Sequence, residues 1–103
     1  MEQKYTSFSD FYPYYLSEHA NSTCRLLHFI GSWLVLLLIA FALITNQLLL
    51  LWLMPVIGYG FAWVGHFFYE HNKPATFQYP LYSLMGDWLM FKDILTGKVS
   101  LKN

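Results

Sequence analysis

A chain of 103 residues holds one small domain and not two. Hydrophobic residues make up 56% of it, aromatics 20% and charged residues only 12%; that charged share is about half the soluble norm, so the composition excludes an ordinary aqueous globule and indicates a membrane protein. The formal net charge is zero, so nothing suggests the basic surface of a nucleic-acid binder, and the single cysteine, Cys24, excludes an internal disulfide framework.

The N-terminal MEQKYTSFSD is polar and lacks the basic stretch, apolar core and cleavage site of a secretory signal, so the first internal apolar run is expected to direct insertion. Residues 11–24 mix aromatics with Glu18, His19 and Asn21 and read as a short helix lying at the interface. Asn21, Ser22 or Thr23 is placed to cap a new helix. Residues 26–45 (LLHFIGSWLVLLLIAFALIT) and 48–69 (LLLLWLMPVIGYGFAWVGHFFY) carry no formal charge. Each is long enough to cross roughly 30 Å of hydrocarbon as a helix. Only Asn46-Gln47 separates them, which forces an antiparallel hairpin. Pro55 is expected to kink the second span, and Gly31, Gly58, Gly60 and Gly65 read as packing positions. A soluble helical hairpin is the alternative, but too little polar chain remains to cover it.

The second helix should end around Asn72-Lys73-Pro74. Residues 81–95 then show apolar residues at helical spacing, interrupted by Asp87, Lys92 and Asp93. This stretch is too short and too charged for a span and fits an interfacial or re-entrant helix, stopped at Gly97. The expected architecture is therefore an all-α integral membrane hairpin with flanking interfacial or re-entrant helices. Arg25, Lys73, Lys92, Lys98 and Lys102 all lie outside the short loop, so both hairpin ends should face the cytoplasm.

The four histidines follow the hairpin. His28 lies 17 residues before Thr45 and His66 lies 18 after Leu48, which puts each about 26 Å from the loop at 1.5 Å per residue. His19 precedes the first span and His71 follows the second, so all four share one membrane face. His19 and His28 are nine apart and converge only if the backbone breaks between them, for which Asn21-Ser22-Thr23 is the natural place. His66 and Glu70 share a helix face, while His71 reaches that face only if the chain unwinds. Imidazoles with carboxylates from Glu18, Glu70 or Asp87, as ligands or as partners of ligands, suit Fe(II), Mn(II) or Zn(II). A structural alternative has His28 and His66 hydrogen-bonding across the hairpin, and Glu70 pairing with Lys73 or Arg25. No phosphate-binding loop, dinucleotide fingerprint or nucleophile elbow is present.

The ordered combination Tyr15-x-x-x-His19, His28-x-x-Gly31, Gly65-His66-x-x-x-Glu70, Lys73-Pro74-Ala75 and Pro80-Leu81-Tyr82-Ser83-Leu84-x-Gly86-Asp87 resembles the Mpo1-like membrane proteins, over roughly residues 11–97. The resemblance implies an iron(II)-dependent dioxygenase using Fe(2+) and O2 on 2-hydroxy fatty acids in alpha-oxidation, shortening the chain by one carbon. It implies that His19, His28, His66 and His71 bind the metal and serve catalysis. Arg25 or Lys73 would then neutralise the substrate carboxylate, with the acyl tail beside the spans among membrane lipids. Compact members imply a bacterial inner membrane, and eukaryotic ones the endoplasmic reticulum. Two competing readings remain: a non-enzymatic membrane scaffold in which His and Asp hold the third segment, and a lipid-binding or transport subunit acting as an oligomer.

Overall fold

A computed structural model describes residues 5–74 and 77–101. Those residues form helices and connections, with no strand among them. In chain order they are α1 (Phe8–Ser17), α2 (Ser22–Ile44), a 3-10 segment (Leu48–Trp52), α3 (Leu53–Val64), a π-helix (Gly65–Glu70) and α4 (Pro80–Leu95).

Local chemistry fixes most of the boundaries. Ser7 caps α1 by accepting from the Asp10 N–H. Asn21 caps α2, its side chain accepting from the N–H groups of Thr23 and Cys24. The expected backbone break between His19 and His28 is therefore present, and it is made by an N-cap. At the far end Asn46 takes the left-handed conformation (φ 55°) and Gln47 N–H bonds back to Ala42 O at 2.9 Å. This closes α2 with the left-handed residue that such ends favour. Proline opens α4 and Gly97 (φ 84°) follows its end.

Helices α2 and α3 pack antiparallel. Close approach is needed at Gly31, where an added Cβ would lie 3.0 Å from Phe61 Cβ, and at Gly65, where it would lie 2.9 Å from Cys24 Sγ. Gly58 and Gly60 do not share that role: a Cβ at Gly58 meets only Val35 at 3.8 Å, and one at Gly60 meets nothing within 4 Å. The second apolar segment is also not one α-helix. It starts as 3-10, becomes α, and ends as π. Pro55 sits early in α3, beside the change of ladder, where a missing N–H disturbs least.

The segments Ser22–Ile44 and Leu48–Glu70 are each 23 residues, with mean hydropathy 2.5 and 1.8. Both are long and apolar enough to cross a membrane. Only 22% and 6% of their most apolar stretches are buried inside the protein, whereas the core helix of a soluble domain is mostly covered. Ile44, Leu49, Trp52 and Val56 are largely exposed.

Helices α1 and α4 pack on each other at the end of the hairpin remote from Asn46. Their shared core is Phe11, Tyr15, Tyr79 and Met90. Gly86 lets the two approach, since a Cβ there would sit 3.0 Å from the Tyr15 ring. Tyr12 Oη donates to Asp93 at 2.8 Å across the same interface. Phe91 of α4 meets Phe29 and Trp33 of α2 at ring separations of 5.2 and 5.4 Å. The third segment is thus folded back against the hairpin.

Candidate metal centre

Three histidines from three elements meet at this end. His19 follows α1, His28 lies in the second turn of α2, and His66 lies in the π-helix. Their ring centroids form a triangle with sides of 4.4, 4.5 and 5.0 Å, each pair near perpendicular. All three are buried. With Cys24 they form a group whose potential ligand atoms lie within 4.8 Å of one another.

Hydrogen bonds orient the rings. His19 Nδ1 lies 2.6 Å from Tyr15 O, His28 Nδ1 lies 2.8 Å from Cys24 O, and His66 Nδ1 lies 2.7 Å from Asn72 Oδ1. The Asn72 amide nitrogen donates to Glu18 O at 3.1 Å, which leaves its oxygen facing His66. Each of the three partners is an acceptor, so each Nδ1 carries the proton and donates it. Each Nε2 is then a lone pair.

That assignment makes one distance informative. His19 Nε2 and His28 Nε2 are 3.1 Å apart. Two lone pairs repel at that range, and neither nitrogen has a proton to share. A cation between them removes the conflict: two nitrogens bound to one ion at about 2.0–2.1 Å stand about 3 Å apart at a right angle. Burial, reinforced by mutual repulsion with His28 and His66, holds His19 well below the usual histidine pKa and so keeps the imidazole neutral, as a ligand must be. The donor set therefore fits a first-row divalent metal.

The other expected site residues are distributed as follows. His71 is exposed and outside the group. It takes the left-handed conformation (φ 58°) and its N–H bonds to His66 O, ending the π-helix and turning its own side chain outward. The chain does unwind there, but the residue returned to the site is Asn72. Glu70 accepts a short hydrogen bond from the Asn21 N–H, tying the end of the second apolar segment to the start of the first. Glu18 Oε1 faces Tyr14 Oη at 3.4 Å. Arg25 donates to His19 O at 2.6 Å and to Ser100 O at 2.7 Å, holding the α1–α2 link and the C-terminal segment. Lys73 is exposed next to Pro74, and Ala75 lies outside the described residues.

Asp87 does approach the cluster. It accepts a short hydrogen bond from Tyr15 Oη, and the Tyr15 ring stacks on His19 at 4.1 Å. Burial, opposed by that hydroxyl, raises Asp87 to about 6. Burial and the Asp87 charge likewise raise Tyr15, which stays a donor.

Cys24 and Asn72 were not among the expected residues. Cys24 had a signal, since it stands four before His28 and so shares its helix face. Its Sγ lies 3.7 Å from His28 Nδ1, the nitrogen already engaged, and against Gly65. Asn72 had none, because its role depends on the left-handed turn before it.

Two spaces with wall residues in common adjoin the centre. A small chamber is walled by the three histidines, Tyr15, Ser83 and Asp87. A larger cavity of about 220 Å³ runs between α2, α3 and α4, past Val35, Met54, Pro55 and Trp88. His28, Tyr59, Ala62 and Asp87 border both.

Fold and site together define a small all-helical protein with two helices of membrane-crossing length and a buried donor set able to hold a metal ion. Its sequence matches the Mpo1-like family, described as "2-hydroxy-palmitic acid dioxygenase Mpo1-like", over residues 5–99. The chain belongs to that family. No curated protein and no solved structure matches it.

Proposed function

We propose that this protein is a membrane-embedded, iron-dependent dioxygenase that shortens 2-hydroxy fatty acids by one carbon in alpha-oxidation. The observation that carries the reading is the 3.1 Å approach of the His19 and His28 Nε2 atoms, in two rings whose Nδ1 atoms both face backbone carbonyls. The family description supplies the substrate class.

His19, His28 and His66 hold the metal through Nε2, with Cys24 packed behind His28. When bound, iron supplies the oxygen activation and carbon–carbon cleavage that no side chain can perform. The protein's own part is placement. Tyr15 O, Cys24 O and Asn72 fix the tautomers, and hydrogen bonds of this kind also raise the basicity of the ligating nitrogen. The hydroxy-acid head lies in the chamber and the acyl chain in the cavity beside it. Each buried methylene contributes about 0.8 kcal/mol. Arg25 is committed to two carbonyls, so Lys73 is the better cation for the substrate carboxylate. The two long helices lie in the bilayer, with the termini and metal centre at the cytoplasmic side. That bilayer is the bacterial inner membrane, or the endoplasmic reticulum in a eukaryote.

Protein purified without oxygen should contain about one iron per chain and convert 2-hydroxypalmitic acid to the C15 product. His66→Ala should lose both iron and turnover. A wild-type protein without first-row metal, or a His66→Ala variant with full iron and activity, overturns the reading. The scaffold alternative predicts unfolding of that variant, with no metal in the parent.

A further inference from the structure

Ser83 has a buried hydroxyl that nothing in the fold uses. The residue is 3% exposed, and Oγ has no hydrogen-bond partner among the described residues. A helical serine normally satisfies itself by bonding the carbonyl four residues back. Here that carbonyl, Tyr79 O, accepts the Ser83 N–H at 2.8 Å as in any helix, and the hydroxyl does not share it. Ser83 lies in the wall of the chamber that contains His19, His28 and His66, one helical turn before Asp87.

The neighbours show what the hydroxyl is for. Each imidazole N–H is donated elsewhere, and the Tyr15 O–H is given to Asp87. Of the buried groups in the wall, Ser83 keeps an uncommitted O–H donor. The chamber and the apolar cavity share His28, Tyr59, Ala62 and Asp87 as common wall. An occupant that spans the two spaces presents an acceptor oxygen to Ser83 while its apolar body lies between the helices. A water accepts from Ser83 too but leaves the apolar cavity unfilled, an alkane offers no acceptor, and a carboxylate on an alkyl chain serves both spaces.

We propose that Ser83 is a substrate-binding residue that donates a hydrogen bond to the carboxylate of the hydroxy acid. The assignment rests on the dioxygenase reading for the identity of the ligand. A buried polar atom left unpaired until the ligand arrives weakens the empty protein and strengthens the loaded one. Ser83→Ala should therefore act in opposite directions on the two.

The test uses the full-length iron-loaded protein in detergent, with 2-hydroxypalmitic acid as probe. Ser83→Ala should keep the wild-type iron content and a melting temperature equal to or above wild type. Its Kd for the probe, read without oxygen from tryptophan fluorescence, should rise at least tenfold, as expected for a lost hydrogen bond to a charged group. KM should rise in parallel, with kcat within about twofold. An unchanged Kd and KM would show that the hydroxyl meets only water and would overturn the assignment. So would loss of iron or a lower melting temperature, either of which makes Ser83 part of the scaffold or metal shell. Wild-type protein that binds the probe without turning it over would sink the dioxygenase reading and leave the Ser83 assignment standing.

Discussion

Gly65→Ala is the sharpest perturbation the packing offers, because it adds one methyl group where two helices touch and the next residue is His66. The added carbon would lie 2.9 Å from Cys24 Sγ, 3.2 Å from Cys24 Cα and 3.4 Å from Cys24 Cβ. Rotating the cysteine relieves the first contact only, since Cα belongs to the backbone of α2. The hairpin must therefore open at its site end, and overpacking of this kind costs about 1–3 kcal/mol. Opening also separates His66, which follows Gly65, from His28, which lies one turn beyond Cys24. Iron affinity should fall together with stability. Cys24→Ala in the same chain removes the sulfur but leaves the backbone contact, so rescue should be partial. The coupling between the two sites should be about 0.5 kcal/mol or more. Chemical or thermal unfolding in detergent micelles gives the stability, and chelator competition gives the iron affinity. If Gly65→Ala keeps wild-type stability and iron affinity, the two segments do not meet there and this contact does not hold the histidines together.

Three further outcomes follow from the same geometry. His71→Ala should leave iron content unchanged by elemental analysis and stability within about 0.5 kcal/mol, as for an exposed residue away from the site; loss of iron would bring that histidine back into the ligand set. Asn72→Leu strips the acceptor from His66 Nδ1 and the donor from Glu18 O; iron affinity should fall about 10- to 100-fold in a chelator titration, the usual cost of losing a partner of a ligating histidine. Asp87 is raised from 3.8 to about 6 by burial, so its folded pKa lies above the unfolded one. Its contribution to stability is complete below about pH 4 and is lost as pH rises through 6, a swing of about 3 kcal/mol. Asp87→Asn keeps an acceptor for Tyr15 and does not titrate, so melting temperatures should show it gaining on wild type between pH 4 and 7. Parallel curves for the two proteins would refute the buried carboxyl.

The helical frame was legible because it depends on properties that a sequence states outright. Two uncharged runs, the Asn46-Gln47 break and the capping Asn21 each force a local outcome through burial, chain length or a side-chain hydrogen bond. The convergence of His19, His28 and His66 follows from that frame by counting rise per residue. What sequence could not state is which part of each imidazole faces inward. For His19 and His28 the deciding partners are the carbonyls of Tyr15 and Cys24, four residues earlier, which every residue type supplies equally. For His66 the partner is Asn72, and it arrives only because the chain widens into a π-helix and then turns left-handed at His71. An α-helical continuation would place Glu70, and not Asn72, as the nearest candidate, which is why a carboxylate looked the natural companion of His66. The same turn sends His71 outward, so the fourth histidine of the pattern helps shape the site through its backbone. The candidate centre is thus specified twice: side chains supply the imidazoles, and main-chain geometry chooses which nitrogen faces inward.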